Sequence, residues 1–151
     1  MSTAILLCVG LIVGISDGDT LKVRCDTPNL GEIKVRLAEI DAPEKKQPYG
    51  QRAKEALSEL SYGKVARILM TTTDRYGRTV ARVEPVGRPE VNFVLVEQGF
   101  AWCYTRYLER PDECHAAETA ARTAHRGLWS DPDPTPPWEW RHARHIGQSN
   151  H

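Results

Sequence analysis

The chain has no excess of positive charge: 20 lysines and arginines are balanced by 20 aspartates and glutamates. A protein that coats nucleic acid carries a broad basic field, so any polyanion bound here must be gripped locally. No apolar run is long enough for a membrane-spanning helix. The apolar segment 4–15 has no basic residue before it and is expected to form a buried first strand, although part of it as the remnant of a removed leader stays open. The four cysteines show no Cys-x-x-Cys spacing, which argues against a structural zinc site. Apart from a proline-rich start to the tail, glycine and proline are scattered and not periodic, which excludes disordered and collagen-like classes. Neither an internal repeat nor a dividing linker is visible.

What remains is an ordinary globular composition, 40% hydrophobic and 26% charged over 151 residues. A single domain of that size buries roughly 70% of the surface its unfolded chain exposes, so it needs no metal or cross-link to hold a core. The whole chain, 1–151, is therefore expected to be one domain with an extended tail from about residue 130. That tail begins rich in proline and carries Trp129, Trp138 and Trp140, which give it something to dock with.

Apolar alternation predicts strands at about 8–16, 20–25 and 32–38, joined by "DGD" and "DTPNLG" as a three-stranded meander. After Pro48 the period changes. Ala53, Ala56, Leu57 and Leu60 recur at helical spacing, and Gly63 stops the helix. Two further strands are expected at 65–72 and 79–86 around "DRYGR". Asn92 is a suitable N-cap for a short helix through Gln98. A last helix from about Asp112 carries an alanine stripe of Ala117, Ala120, Ala121 and Ala124, ending at Gly127. Five short strands with a helix after the third predict a mainly β, α+β architecture: a five-stranded Greek-key barrel of OB type with three helices.

Three loops concentrate chemistry. "ISDGDTLKV" holds Asp17 and Asp19 around Gly18, where glycine is expected to supply the positive φ of a tight turn. "VRLAEIDAPE" gives Arg36 on a strand, then Asp41 and Glu44 around Pro43, which stiffens the loop. "DRYGR" gives Asp74, Tyr76 and Arg78. Phosphodiester hydrolysis needs an activated water, a proton acceptor and fixed positive charge near the phosphorus oxygens. Asp19 and Asp41 are hard oxygen donors suited to Ca²⁺, with the Ala42 carbonyl as a third ligand. Glu44 is then free to accept a proton, and Arg36 and Arg78 can each fork onto phosphate oxygens.

In this order, "ISDGDTLKVR", "VRLAEIDAPE" and "DRYGR" resemble the staphylococcal nuclease family, also called thermonucleases. The similarity extends from about Val9 to Trp129 and includes "VNFVLVEQGFAWCY" and "RGLW". It implies that Asp19, Asp41 and the Ala42 carbonyl bind Ca²⁺, that Glu44 is the general base, and that Arg36 and Arg78 clamp phosphate. Tyr76 matches a nucleotide-contacting tyrosine, and Tyr104 and Tyr107 lie near the family's later substrate-contacting tyrosines. The implied fold is a five-stranded OB-type barrel with three helices. The implied activity is cleavage of DNA and RNA with modest sequence preference, leaving 3′-phosphates. Ala42 departs from the threonine of the type member, a small change where only a main-chain carbonyl is required.

Taken singly, Asp17 and Asp19 fit turn formers better than ligands, and Asp41 and Glu44 fit solvated loop acids. Their joint occurrence reverses this for Asp19, Asp41 and Glu44, less so for Asp17. Arg36 sits in an apolar strand, where an unpaired charge is costly, so it is expected to face a ligand or a carboxylate. Arg67 and Arg82 are read as solvent-facing. No metal role is assigned to His115, His125, His142 or His145, and packing of the tail tryptophans on the barrel is favoured over stacking on bases. The alternative function is a non-catalytic OB module that binds nucleic acid or protein. Cys8 with Cys25 and Cys103 with Cys114 are each equally compatible with a disulfide or with packing alone. A monomer without a membrane span, exported to the periplasm or medium rather than cytoplasmic, is the favoured setting.

Overall fold

The apolar alternation becomes a closed barrel in the computed structural model, which describes residues 4–149. Its strands are β1 (Ile5–Asp17), β2 (Thr20–Cys25), β3 (Glu32–Leu37), β5 (Val65–Thr73) and β6 (Thr79–Pro85), and β4 (Ile40–Asp41) and β7 (Trp102–Cys103) form a separate two-stranded sheet. The barrel order is β1-β2-β3-β6-β5, antiparallel except where β3 runs parallel to β6. β1 closes it by pairing β2 along one part of its length and β5 along another. Register shifts between Ile12 and Gly14 and between Ile15 and Asp17 bend β1 around that corner. A Cβ on Gly10 would stand 2.6 Å from the Arg24 carbonyl oxygen, so only glycine lets β1 and β2 approach so closely.

Ile12, Leu21, Val23, Val35, Leu37, Ile68 and Val83 fill the interior, each 0 to 1% exposed. Each such aliphatic side chain contributes about 1.5–3 kcal/mol over an exposed one. Helix α1 (Gly50–Ser61) packs Ala53, Ala56 and Leu57 into the core, and α2 (Val91–Glu97) adds Val91 and Leu95. Asn92 is not the cap of α2. It lies inside the first turn, fully buried, where its amide donates to the Ala38 and Ala81 carbonyls and its Oδ1 accepts the Val83 N–H. A polar side chain with that many backbone partners on β6 is a core connector.

Helix α3 (Pro111–Thr123) buries Cys114 and Ala121, whereas Ala120 and Ala124 face solvent, so the expected stripe is turned toward Cys114. Cys8–Cys25 joins β1 to β2, and Cys103–Cys114 ties β7 to α3. The tail is not extended throughout: 131–136 form no regular element, and Pro137–Ser149 forms a fourth helix, α4, because Pro137 fits a first helical turn and Glu139 favours that positive end. The α-helices thus number four among the described residues, one more than expected, beside two short 3-10 helices at Thr105–Tyr107 and Gly127–Ser130.

Candidate active site

The β1–β2 hairpin presents Asp19 at its tip, with Asp17 paired to Thr20 just inside it. Gly18 does not have positive φ, contrary to expectation. It is needed for room: a Cβ there would lie 2.7 Å from the Ala53 methyl and 2.8 Å from the Ala42 methyl. The hairpin tip therefore sits directly on α1 and on the loop after β4. That contact carries Asp19 to the second acidic segment, where its Oδ2 accepts the Ala42 N–H at 2.9 Å and its Oδ1 accepts the Thr20 hydroxyl.

Arg36 projects from β3 between the two segments. Its Nη1 donates to the carbonyls of Leu37 (2.7 Å) and Ile40 (2.9 Å), and its Nη2 lies against both Asp19 and Asp41. The expectation that an arginine in this strand meets a carboxylate is met twice. The loop that turns from β3 to β4 is braced from behind by Glu39, buried and at φ 71°. Its carboxylate accepts the N–H groups of Glu109 and Arg110 and the Arg110 guanidinium. Arg110 also forks onto Glu90. Arg82, read from sequence as solvent-facing, is buried in this group beside Glu39 and Glu109, whereas Arg67 forms an exposed pair with Glu84.

Glu44 lies just beyond Pro43. Its N–H donates to Gln47 Oε1, and the Gln47 amide donates to the Thr135 carbonyl in the tail. Tyr49, in the left-handed region at φ 70°, turns the chain into α1 and shares a hydrogen bond with Ser130. The tail is thereby fastened along the acidic loop, and α4 delivers a residue that the sequence reading missed. Arg141 donates from Nη2 to Asp41 Oδ2 at 2.7 Å and from Nη1 to Asp41 Oδ1 at 3.1 Å and Glu44 Oε1 at 2.7 Å. The available signal was "TPPWEW", a proline-led helix start followed by an acidic first turn.

The electrostatics are those of crowded acids. Burial, reinforced by the charge of Asp19, raises the Asp17 carboxyl to about 7. Burial likewise raises Asp41 to about 6 despite Arg141 and Arg36. For Asp19 burial works in the same direction, but Arg36 and its hydrogen bonds prevail and hold it below the ordinary carboxylate range. Four acidic side chains, Asp17, Asp19, Asp41 and Glu44, thus share two guanidinium groups, a local deficit of positive charge. Among the described residues no three His, Cys, Asp or Glu side chains form a ready cation cage. The expected ligand set asks for two, Asp19 and Asp41, and these meet at one Arg36 nitrogen.

The third loop organises itself separately. Asp74 accepts the N–H groups of Tyr76 and Arg78 and the Arg78 Nε at 2.7 Å. These bonds hold its carboxyl below the usual value although burial acts the other way. Tyr76 is largely exposed, with the Arg75 and Arg78 guanidiniums beside its ring. Arg78 leads into β6, where Val80 is paired with Arg36, but its ion pair is with Asp74 and not with the acidic group. Tyr104 follows β7, whose Trp102 pairs with Asp41, and its ring meets Tyr107 edge-on at 5.0 Å. Its face is stacked on Trp138 of α4, with centroids 5.6 Å apart, as expected for tryptophans that pack rather than wait for bases.

A model of the family described as staphylococcal nuclease homologue matches residues 34–131. A Haemophilus influenzae protein bearing the name uncharacterized endonuclease is 44% identical over 138 residues, covering 91% of this chain and 75% of the relative. An Escherichia coli O157:H7 protein with the same name is 39% identical over 135 residues, covering 89% and 86%. A Shigella flexneri micrococcal nuclease is 40% identical over 144 residues, covering 89% and 80%. Asp19 and Arg141 lie outside the interval matched by the family model.

Proposed function

Since the chain belongs to the staphylococcal nuclease homologue family, we propose that it is a Ca²⁺-dependent nuclease that hydrolyses phosphodiester bonds of DNA or RNA with little sequence preference, leaving 3′-phosphates. The observation that carries this reading is the meeting of Asp19, Asp41 and Arg36, contributed by separate segments, beside Glu44. The residues suit a calcium ion. Asp19 and Asp41 are hard oxygen donors drawn together at Arg36, and the Ala42 carbonyl belongs to the same loop as Asp41. When bound, the ion would neutralise phosphate charge and help orient the substrate.

The chain's own groups supply the rest. Glu44, partly open to solvent, accepts the proton of the attacking water. Arg36, fixed by two carbonyls, keeps its charge in place as negative charge builds on the phosphorus oxygens, so little reorganisation is needed. Arg78 is the second clamp, reaching phosphate from the "DRYGR" loop, and Tyr76, Tyr104 and Tyr107 contact the nucleotide. The two disulfides favour an oxidising compartment, and we place the protein outside the cytoplasm as a monomer.

Incubation of supercoiled plasmid and of RNA with the protein tests the reading. Cutting with Ca²⁺, its loss in chelator, and ends that accept ligation only after 3′-phosphate removal are expected. An absence of cutting under every condition would leave the non-catalytic binding module.

A further inference from the structure

We infer that Arg141 is a built-in counter-ion that competes with the divalent cation for Asp41 while also pairing with Glu44, so that α4 sets the metal affinity of the site. This inference rests on the metal-dependent reading above and adds its regulation. Both Asp41 oxygens are taken by one guanidinium, at 2.7 and 3.1 Å, and the same Nη1 reaches Glu44 at 2.7 Å. The short charge-assisted hydrogen bonds occupy one lone-pair direction on each Asp41 oxygen, and the guanidinium's positive charge repels a cation that approaches the same carboxylate. Arg141 and a metal on Asp41 therefore oppose each other.

The competitor is held at close quarters. Trp138, one helical turn before Arg141, lies flat on Tyr104 and edge-on to Trp102 at 5.7 Å. Upstream, Gln47 holds Thr135 and Tyr49 holds Ser130, so the tail stays fastened along the loop that carries Glu44. A tethered group binds at a high effective concentration, roughly millimolar or above, and does not dilute away. Trp138 and Arg141 also lie three residues apart, on one face of α4. One face thus covers both the acidic oxygens and a tyrosine ring expected to meet substrate. With no cation bound, Arg141 supplies the positive charge that four crowded carboxyls require; with a cation bound, that role is surplus.

Calorimetric titration of Ca²⁺ into metal-free full-length protein, without nucleic acid, tests the competition. Arg141→Gln is expected to bind Ca²⁺ roughly tenfold tighter than wild type, since hydrogen bonds to charged groups no longer oppose binding. Arg141→Lys, which keeps the charge but loses the fork, is expected between the two and serves if the glutamine variant folds poorly. Arg144→Gln, an exposed residue on the same helix, removes the same charge and is expected to leave Ca²⁺ affinity unchanged. Thermal melts give a second readout: Arg141→Gln melts below wild type without metal, and Ca²⁺ raises its melting temperature by more than it raises that of wild type. Wild type that binds Ca²⁺ with an Arg141→Gln variant no tighter, or an Arg144→Gln gain as large, overturns the inference and leaves the metal site standing. Absence of Ca²⁺ binding in all variants removes the metal-dependent reading and this inference with it.

Discussion

Arg36 Nη2 lies 3.5 Å from Asp19 Oδ2 and 3.4 Å from Asp41 Oδ1, so one nitrogen holds together carboxylates from the hairpin tip and from β4. All three side chains are nearly sealed from water, at 13, 10 and 1% exposure. Removing the guanidinium leaves the buried Asp19 without its arginine, while Asp41 keeps only Arg141. Arg36→Ala is expected to lose about 3 kcal/mol or more of unfolding free energy in urea titrations. A loss under about 1 kcal/mol would mean that the pair is held by something else.

Gly18 separates space from conformation. Gly18→Ala must push against two methyl groups and is expected to destabilise by about 1–3 kcal/mol while displacing Asp19 from Ala42. Gly77 has φ +78° with open space around it, so Gly77→Ala pays only for a left-handed backbone, about 1 kcal/mol. Thermal or chemical denaturation of both variants checks the ranking.

Arg82 and Arg67 make a second contrast. Arg82→Ala strips a buried partner from Glu39 and Glu109 and is expected to cost about 2–4 kcal/mol. Arg67→Ala breaks an exposed pair with Glu84 and should change stability by less than about 1 kcal/mol. Equal effects would contradict the burial of Arg82.

These cases show what could be read from sequence. Alternation exposed the barrel strands, because period two reports an inside and an outside locally. Arg36 was legible because a charge in an apolar strand demands a partner. Asp41 and Glu44 stood out through the stiff "DAPE" loop. Arg82 was not legible, since its partners Glu39 and Glu109 come from remote segments. Asn92 looked like a cap because caps are local, whereas its real partners lie on β6 and at Ala38. The prolines around 132–137 suggested extended chain through the tail, yet the last of them begins α4, and Arg141 reaches Asp41 across 100 residues. Sequence patterns report neighbours along the chain; long-range ion pairs leave no such trace.

Each disulfide closes a short loop, its cysteines standing 17 positions apart in one pair and 11 in the other. Reduction of both is expected to lower stability by about 2–4 kcal/mol per bridge. Mass spectrometry after alkylation, with and without reductant, should show four modified cysteines only in the reduced sample. Free thiols in freshly purified native protein would contradict the pairing and weaken the case for an oxidising compartment.

The hairpin tip, the "DAPE" loop and the arginines are proposed to form one hydrolytic site, with Glu44 taking the proton from water. Cleavage of a short oligonucleotide by Glu44→Gln at saturating Ca²⁺, with Ca²⁺ binding measured on the same sample, tests it most directly. A turnover loss of about 10²-fold or more is expected, with Ca²⁺ binding retained and the protein folded. Turnover equal to wild type in the folded, Ca²⁺-loaded variant would contradict it.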